Sequence, residues 1–461
     1  MFRISSGFLD SWLSDPARKP LIVRGARQVG KSFLIKDWGI KHFTHVVEAN
    51  LERDPVLSSC FTDNDPRLTL QRLEAILRRP IKTDGSTLLF LDEIQAAPSL
   101  LAKLRWFAEE IASLPIIAAG SLLDFTLADH QFSMPVGRVT YHHLEPMGFE
   151  EFCIALDEQQ IVRWLRENVT KDTILSGSAM PIGLHAKALK LFREWLLVGG
   201  MPAAVETYRQ ERSIVHCESI HRDLLATIRD DFAKYANRVH HHRLTATLDS
   251  IPHQLGCKFT YRRVDPFERI EAIRKSVDLL CLARICHRVV ASIAQGLPLS
   301  AGANMRAFKL IYLDVGLATT ALGLTLIGIE NISDLTLINA GAIAEQAAGQ
   351  LLRLLFPSNQ EPSLYFWQRQ YRGSEAEVDY IISHNAAVMP IEIKAGSTGT
   401  LKSLHQFMSD HDLPMAIRLN STPPSITHVN TSTPTGKHAR YQLLSLPCYL
   451  TEQLNRILAT F

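Results

Sequence analysis

Eight residues near the start of the chain, "GARQVGKS" at positions 25–32, have the spacing of a phosphate-binding loop. An apolar stretch precedes them and a helical pattern follows. Glycines let backbone N–H groups close around phosphates, and the helix N-terminus favours negative charge. The spacing predicts that Lys31 reaches the β- and γ-phosphates of ATP and that Ser32 binds Mg²⁺. Nucleotide contacts are predicted for Gly25, Gln28, Val29, Gly30, Lys31 and Ser32.

A pair of carboxylates, Asp92 and Glu93, ends the apolar run "LLFLDE" about sixty residues further on. Asp92 is predicted to hold Mg²⁺ through water. Glu93 is predicted to orient and deprotonate the attacking water, which hydrolysis requires and nucleotide binding alone does not. Two solvated carboxylates would be the better interpretation of an isolated pair, but the upstream phosphate loop favours catalysis.

Two further polar residues each have open alternatives. Ser121 ends the run "PIIAAGS", where it could contact the γ-phosphate or the water, or cap the next helix. Arg138 precedes the run "RVTYHHL". It could stabilise transition-state charge within its own chain or across a subunit interface, or it is an ordinary surface arginine.

The stretch "EVDYIISHNAAVMPIEIKAG" at 377–396 predicts two strands joined by a turn. A turn at 385–386 or 384–387 places Asp379 opposite Glu392, on the same face as Lys394. A three-residue turn would instead place Ile391 opposite Asp379. Convergence permits one Mg²⁺ between the carboxylates, with Lys394 beside an attacked phosphate. The alternatives are a solvated face of charges, or a fold retained after its activity was lost.

The elements that must position these residues are predicted by alternating apolar and helical segments in residues 20–145. Strands are expected at 20–25, 44–51, 86–93, 114–120 and 138–144, and helices at 67–79 and 99–114. Continuous apolar strands separated by helices are typical of a parallel sheet covered on both faces.

The rest of the chain is predicted to be mixed. Residues 149–235 indicate helices, interrupted by "GGMP" at 199–202, where Gly ends one helix and Pro begins the next. Residues 240–325 indicate helices followed by a hairpin, as in a winged helix, with Asp314 capping a helix. Residues 335–461 return to mixed α/β, and the polar stretch 421–436 is predicted to be a loop.

Residues 233–290 carry eleven Lys or Arg against five Asp or Glu. A basic winged helix would suit the phosphates of DNA or RNA, although such modules also serve as protein spacers. The sequence shows no base-reading pattern. Three consecutive histidines at 240–242 cannot easily direct three rings at one ion, so they predict no metal site.

Composition sets the broad class. Of 461 residues, 46% are hydrophobic and 21% charged, which allows a large core and excludes global disorder. The net charge of +2 is too small to indicate nucleic acid by itself. No apolar run approaches the roughly 20 residues that span a bilayer. Seven scattered cysteines fit a reducing compartment, so we expect a cytoplasmic protein without a membrane partner.

Motifs spread over nearly the whole chain resemble a bacterial and archaeal group of AAA-superfamily ATPases with a C-terminal restriction-endonuclease-like domain of uncharacterised function. The resemblance is carried by "RGARQVGKS", "TLLFLDEIQ", "AAGSLLDF", "SMPVGRVTYHHLEPMGFEEF", "LLVGGMPAAV", "FKLIYLDVGL", "GAIAEQ", "EVDYII" and "PIEIK". It implies that Gly30, Lys31, Ser32, Asp92 and Glu93 are the functional ATPase positions. It also implies that Glu345 is a further acidic position of the nuclease-like pattern.

The resemblance and the patterns together predict an α/β protein with four segments: a P-loop ATPase domain, a helical connector, a winged-helix-like domain and a restriction-endonuclease-like domain. Their predicted bounds are 1–150, 151–239, 240–330 and 331–461. The leading hypothesis is an ATPase that uses ATP and Mg²⁺ and controls a nucleic-acid-directed, nuclease-like module. The alternative is a nucleotide-dependent switch whose nuclease-like domain is inactive and binds protein. Self-association into a homo-oligomer is left open.

Overall fold

The computed structural model describes residues 2–121, 123, 136–232, 239–324, 340–369, 376–394, 400–433 and 435–461. The chain forms two compact units. Unit 1 comprises Met1–Pro146, Leu282–Arg284 and Pro357–Glu361, and unit 2 comprises Met147–Cys281, Ile285–Phe356 and Pro362–Phe461.

Unit 1 is built on a five-stranded sheet. Its strands are β1 (Leu21–Arg24), β2 (His45–Asn50), β3 (Thr87–Asp92), β4 (Ile116–Gly120) and β5 (Thr140–His143). Its helices are α1 (Ser6–Ser14), α2 (Lys31–His42), α3 (Pro66–Leu77) and α4 (Leu100–Glu110). The strand order is β2-β3-β4-β1-β5, and every pairing is parallel.

The predicted parallel sheet is therefore confirmed. Residues of β3 and β4 are buried along their whole length, as continuous apolar runs require. Because all strands run the same way, the residues after β1, β3 and β4 meet at one edge of the sheet. That carboxyl edge receives the phosphate loop, the Asp92–Glu93 pair and Ser121.

Most helices of unit 2 precede its sheet in the chain, and the others lie between or after its strands. The helices are α5 (Phe149–Ala155), α6 (Gln159–Asn168), α7 (Lys171–Leu175), α8 (Ile182–Val198), α9 (Pro202–Glu211), α10 (Ile214–Asp230), α11 (His241–Ser250), α12 (Ile270–Leu282), α13 (Val315–Ala321), α14 (Ala340–Arg353), α15 (Lys402–His411) and α16 (Leu454–Leu458). Among the described helices of the whole chain, none is long and apolar enough to cross a membrane.

An eight-stranded mixed sheet forms the other part of unit 2. Its strands are β6 (Cys286–Ser292), β7 (Ala303–Tyr312), β8 (Leu364–Gln368), β9 (Glu377–His384), β10 (Ala387–Ile393), β11 (Met415–Asn420), β12 (Ser425–Ser432) and β13 (His438–Pro447). Their order is β12-β13-β11-β10-β9-β8-β6-β7. The predicted helix and hairpin of the middle segment are present as α12, β6 and β7. That hairpin does not stand apart, because β6 pairs with β8 and so extends the C-terminal sheet.

The prediction that 421–436 is a loop was wrong. β12 pairs along its whole length with β13, from Ser425 opposite Ser445 to Ser432 opposite His438. β12 is the outermost strand of the sheet, so polar Thr, Ser and Asn side chains can remain in solvent there. Its polarity therefore indicated an edge strand and not the absence of a strand.

The turn between β9 and β10 has two residues, which fixes the register of the hairpin. Asn385 and Ala386 have φ of 46° and 61°, the left-handed backbone that a tight two-residue hairpin turn requires. Ile391 lies opposite Tyr380, so the next positions outward, Glu392 and Asp379, face each other. Of the registers that the sequence left open, the structure has the one that pairs Asp379 with Glu392.

Asp314 holds several elements of unit 2 together. Its fully buried carboxylate caps α13 by accepting hydrogen bonds from the N–H groups of Gly316 and Leu317. It also accepts from the Gly200 N–H at 2.6 Å and the Gln350 side chain at 3.0 Å. A Cβ at Gly199 would lie 2.0 Å from Asp314 Oδ1, so the "GGMP" turn needs glycine to approach this carboxylate.

We predict that Asp314→Ala lowers the free energy of unfolding of unit 2 by roughly 3 kcal/mol, because four buried N–H groups lose one acceptor. Chemical denaturation of the full chain measures the change. Asp223→Ala, which removes an exposed carboxylate of α10, is the matched control and should change stability by less than about 0.5 kcal/mol. Equal effects of the two substitutions would contradict the assigned role.

Candidate nucleotide site and C-terminal acidic cluster

The phosphate loop follows β1 and is shaped by two glycines. A Cβ at Gly25 would lie 2.4 Å from the carbonyl oxygen of Leu144, so only glycine allows the backbones to approach this closely. Gly30, with φ of 91°, directly precedes α2 and turns the chain into its first helical residue, Lys31. The loop and the start of α2 therefore have the arrangement predicted for binding phosphates.

Lys31 is buried but has no carboxylate partner among the described residues. Its Nζ donates to the carbonyl oxygens of Gly25 at 3.1 Å and Ala26 at 2.7 Å. Burial lowers the pKa of Lys31 from 10.5 to about 8, although Glu93 and Asp92 oppose the shift. A phosphate anion would supply the counter-charge that this ammonium group lacks.

Ser32 and Asp92 lie next to each other, as a shared Mg²⁺ ion requires. The Ser32 hydroxyl is 3.0 Å from both carboxylate oxygens of Asp92. The Asn50 amide, opposite Asp92 in the β2–β3 register, donates to the same carboxylate at 3.4 Å. Asp92 is buried, and burial raises its pKa, so a nearby cation would stabilise its charged form.

Glu93 has the left-handed φ of 53°, which is uncommon for a non-glycine residue and clusters at functional sites. Its carboxylate accepts a hydrogen bond from the Gln95 amide. A Cβ at Gly120 would lie 2.5 Å from Gln95 Oε1, so glycine leaves the room that this amide occupies. Gln95 Oε1 and Ser121 Oγ are buried and lack hydrogen-bond partners among the described residues. Gln95 Oε1 can accept a hydrogen bond from a bound water, and Ser121 Oγ can bond to that water or to a γ-phosphate oxygen. The helix that Ser121 would cap falls mostly outside the described residues, so both roles of Ser121 stay predictions.

Arg138 is not part of this constellation within one chain. It precedes β5, and Thr140 of β5 is paired with Leu21, the first residue of β1. Arg138 therefore lies at the amino edge of the sheet, whereas the phosphate loop lies at the carboxyl edge. Its exposed guanidinium pairs with Glu109 at the end of α4, at 2.8 Å. The alternative that Arg138 acts within its own chain was wrong, and a role across a subunit interface stays a prediction.

Arg3 is a contributor that the sequence did not reveal. Its buried guanidinium donates to the carbonyl oxygen of Val29, inside the phosphate loop, at 2.6 Å. It also donates to the carbonyl of Glu145 at 2.7 Å. Arg3 thus fixes the loop to the chain that leaves β5. Asn50 and Gln95 were missed as well, although the strand end and the second position after "DE" could have indicated them.

The C-terminal cluster forms where β9 and β10 lie side by side. Asp379 Oδ2 accepts a hydrogen bond from the Ile393 N–H at 2.7 Å. Lys394 Nζ pairs with Glu392 Oε1 at 2.6 Å, while Glu392 Oε2 is buried and has no hydrogen-bond partner among the residues that the structure describes. Glu345 of α14 is buried nearby and interacts electrostatically with Asp379. The four predicted residues thus converge on one region of unit 2.

Lys309 of β7 lies among these carboxylates and was not predicted. Its Nζ is 2.8 Å from Glu345 Oε1, 2.5 Å from Glu377 Oε1 and 3.9 Å from Asp379 Oδ1. The side chain is only 1% exposed. Among the described residues, no group of three or more His, Cys, Asp or Glu side chains is arranged to hold a metal ion.

Burial perturbs the carboxylates of this cluster strongly. Burial raises the pKa of Glu345 to about 8, with Lys309 opposing the shift. Burial also raises the pKa of Glu392 to about 7, with Asp379 adding to the shift and Lys394 opposing it. Lys309 responds in the other direction: its carboxylate neighbours outweigh its burial and raise its pKa above the ordinary lysine value.

Three family models match parts of the chain. Residues 17–153 match an AAA domain, so the chain carries an AAA-type ATPase domain at its N-terminal end. Residues 189–326 match a domain of unknown function (DUF8612), and residues 340–449 match another (DUF4143). Neither of these names a fold or an activity, so the restriction-endonuclease-like character of the C-terminal segment stays a prediction. No curated protein matches this chain in sequence.

Solved structures with similar arrangements include the Walker-type ATPase PABY2304 of Pyrococcus abyssi. It is 14% identical, with a TM-score of 0.41, over 69% of this chain and 94% of that one. The Aeropyrum pernix ORC2 protein in ADPNP–ADP complexes is 12% identical, with a TM-score of 0.34, over 71% and 95%. The A. pernix ORC1 protein in complex with DNA is 13% identical, with a TM-score of 0.26, over 72% and 92%. At these scores the likeness is loose and carries no inference.

We predict that the free energy of unfolding of unit 2 falls as pH rises from about 5 to 7. The folded state keeps a proton on Glu392 that the unfolded chain has already released, because the folded pKa is the higher one. Glu392→Gln should remove on the order of 2 kcal/mol of this pH dependence. Denaturation at several pH values measures it, with the exposed Glu271→Gln as control. An unchanged pH profile in Glu392→Gln would contradict the prediction.

Proposed function

We propose that unit 1 binds ATP with Mg²⁺ and hydrolyses it, and that its nucleotide state controls unit 2. The observation that supports this best is Lys31: a buried cation in a phosphate loop, bonded to carbonyl groups and without a carboxylate partner in the described chain. Such a group gains most from an anion that enters the loop. The neighbouring Ser32 and Asp92 supply the oxygen ligands that Mg²⁺ prefers.

The residues present fit a magnesium ion. The Ser32 hydroxyl and the Asp92 carboxylate would hold it, and the desolvated carboxylate would lose its unfavourable burial in exchange. When bound, the ion would neutralise charge on the phosphates. Lys31 would then bind the β- and γ-phosphate oxygens, and Arg3 would keep the loop backbone in place.

Hydrolysis requires a base beside the attacking water. Glu93 is held in place by Gln95 and lies one residue beyond Asp92, so it is the group that we assign as base. Gln95 Oε1 would accept a hydrogen bond from this water, and Ser121 Oγ would bond to the water or to the γ-phosphate. Arg138 would complete the site only from a neighbouring copy, so we also propose a homo-oligomer in the cytoplasm.

For unit 2 we propose a nucleic-acid-directed role, supported by an exposed basic surface. Its members are cations that form no salt bridge to a carboxylate within the described residues: Lys258, Arg262, Arg263, Arg269, Arg274, Lys275 and Arg306. Segment 258–263 runs along β7, because Phe259 N–H bonds to the Phe308 carbonyl and Tyr261 packs against the Phe308 ring. Lys258, Arg262 and Arg263 therefore lie beside β7, the strand that also carries Arg306, and exposed cations placed in this way suit a phosphate backbone.

A second candidate is a nucleotide-dependent switch whose nuclease-like unit is inactive and binds protein. The observation that favours it is Lys309, which already neutralises carboxylates of the predicted metal site. The predicted winged-helix-like segment would then be a spacer. The division of the chain at residues 150, 239 and 330 remains our prediction.

We predict that Glu93→Gln leaves ATP affinity within about threefold of the parent but lowers turnover by roughly 100-fold, because only the base is lost. Lys31→Ala should instead weaken ATP binding by roughly 100-fold, since the loop loses its buried cation. Calorimetric binding and phosphate release measure the two effects. Lys36→Ala on the same helix, where the side chain is exposed, is the control and should behave as the parent. Full turnover by Glu93→Gln would sink the assignment of the base.

We also predict that the full chain binds DNA or RNA with an affinity that falls steeply with salt. Replacing Arg262 and Arg263 by alanine should lower the slope of log affinity against log salt by about 1–2, since each lost phosphate contact contributes nearly one. Replacing Arg163 and Arg209, which are exposed but paired with glutamates on their own helices, is the control and should leave the slope unchanged. No binding at low salt would favour the protein-binding switch.

A further inference from the structure

We propose that Lys309 is the built-in counter-cation of the C-terminal acidic cluster, in place of a divalent metal ion, so that unit 2 engages nucleic acid without metal-dependent cleavage. The nucleic-acid part of this inference rests on the proposed function. The charge compensation stands on the contacts of Lys309 alone.

Several carboxylates surround the ammonium group of Lys309, as ligands surround a bound cation. One ammonium group has two carboxylate oxygens within 2.8 Å and a third at 3.9 Å, contributed by α14 and by two positions of β9. The centre of the Phe366 ring, which is fully buried, lies 5.2 Å from the same nitrogen. The carboxylates are therefore neutralised from within the fold.

A buried lysine held in this way resists displacement. Moving the ammonium group away would take from Glu345 and Glu377 the cation that both contact and would leave the Lys309 charge without a partner, which is strongly unfavourable. A divalent ion that entered while Lys309 remained would meet a positive charge about 4 Å from Asp379, its best remaining ligand. Both routes disfavour a metal at this place.

The remaining carboxylate oxygens do not form a metal site either. Asp379 Oδ2 is bonded to a backbone N–H and Glu392 Oε1 to Lys394. Of the four oxygens of this pair, that leaves Asp379 Oδ1, which faces Lys309, and the buried Glu392 Oε2; Glu345 and Glu377 are already paired with Lys309 through one oxygen each. Mg²⁺ demands near-ideal octahedral coordination, and two such oxygens supply little of it. The residues present therefore do not fit the predicted metal, and we assign no chemical step to one.

Lys394 also forms an ion pair with a residue of its own hairpin. Its ammonium pairs with Glu392 at 2.6 Å, so the nuclease-like hairpin carries its own lysine–glutamate pair beside the Lys309 cluster. The carboxylates and the lysine of the predicted cleavage site lie close together, but Lys309 and Lys394 form ion pairs with the glutamates of this region. This is the state expected of a fold that binds a phosphate backbone elsewhere on its surface and does not cut it.

The test uses the full chain without nucleotide, in an Asp92→Ala background that removes the other metal-binding carboxylate. We expect no saturable Mn²⁺ binding by calorimetry and no effect of Mn²⁺ on the unfolding temperature. Lys309→Met in that background should unfold at a temperature roughly 5 °C lower or more, because three carboxylates lose their cation. Mn²⁺ should raise the unfolding temperature of the Lys309→Met chain by several degrees.

The control is Lys187→Met, which removes an exposed lysine that makes one surface ion pair. Equal effects of Lys187→Met and Lys309→Met would overturn the proposal, and so would Mn²⁺ having no effect on the Lys309→Met chain. If that variant does not fold, the Lys309-containing chain decides: one Mn²⁺ bound per chain and lost in Asp379→Asn would overturn the proposal.

Cleavage and ATP turnover separate this inference from the proposed function. With Asp92 intact, we expect no Mg²⁺-dependent cutting of DNA or RNA, and cutting that disappears in Asp379→Asn would overturn the inference. ATP turnover in the same preparation reports on unit 1 alone. Absent turnover together with absent cutting would refute the ATPase proposal and leave Lys309 as the counter-cation.

Discussion

A charge removed from water must find a partner, and two buried lysines meet this constraint in opposite ways. Within the described part of the chain, Lys31 in unit 1 hydrogen-bonds only to carbonyl oxygens of its own loop, and burial lowers its pKa. Lys309 in unit 2 is surrounded by carboxylates, so its pKa rises. The first lysine is prepared for an anion from outside the protein. The second is already compensated and needs none.

Strand connectivity creates both situations. In unit 1 parallel pairing brings the ends of β1, β3 and β4 to one edge, where the loop backbone and two carboxylates face a common space. In unit 2 antiparallel pairing of β9 with β10 brings Asp379 and Glu392 together, and β7 adds Lys309 from the far end of the same sheet's strand order. The same residue types therefore form the proposed nucleotide site in one sheet and an internally paired charge cluster in the other.

Local patterns predicted much of this arrangement. The phosphate loop and the five strands of unit 1 depend on patterns within a few residues, which a sequence displays directly. The turn at Asn385 was one of several that the sequence left open. Lys309, Arg3 and Gln95 could not be found in that way, because their roles depend on contacts between distant segments or on side-chain direction. Arg138 shows the same limit: its place in the chain looked suitable, but the direction of β5 puts it at the opposite edge of the sheet.

Lys31 lacks a carboxylate counter-charge among the described residues, and proton linkage tests most directly whether a bound nucleotide supplies it. Calorimetric titration with Mg²⁺ and a non-hydrolysable ATP analogue at pH 8, in buffers of different ionisation enthalpy, counts the protons exchanged. Because burial lowers the pKa of Lys31 to about 8 and phosphates would raise it, we predict uptake of roughly half a proton per chain. Lys31→Arg, which is always charged, should show none. If the heat of binding to the parent chain is the same in every buffer, no proton is exchanged, and this role of Lys31 is contradicted.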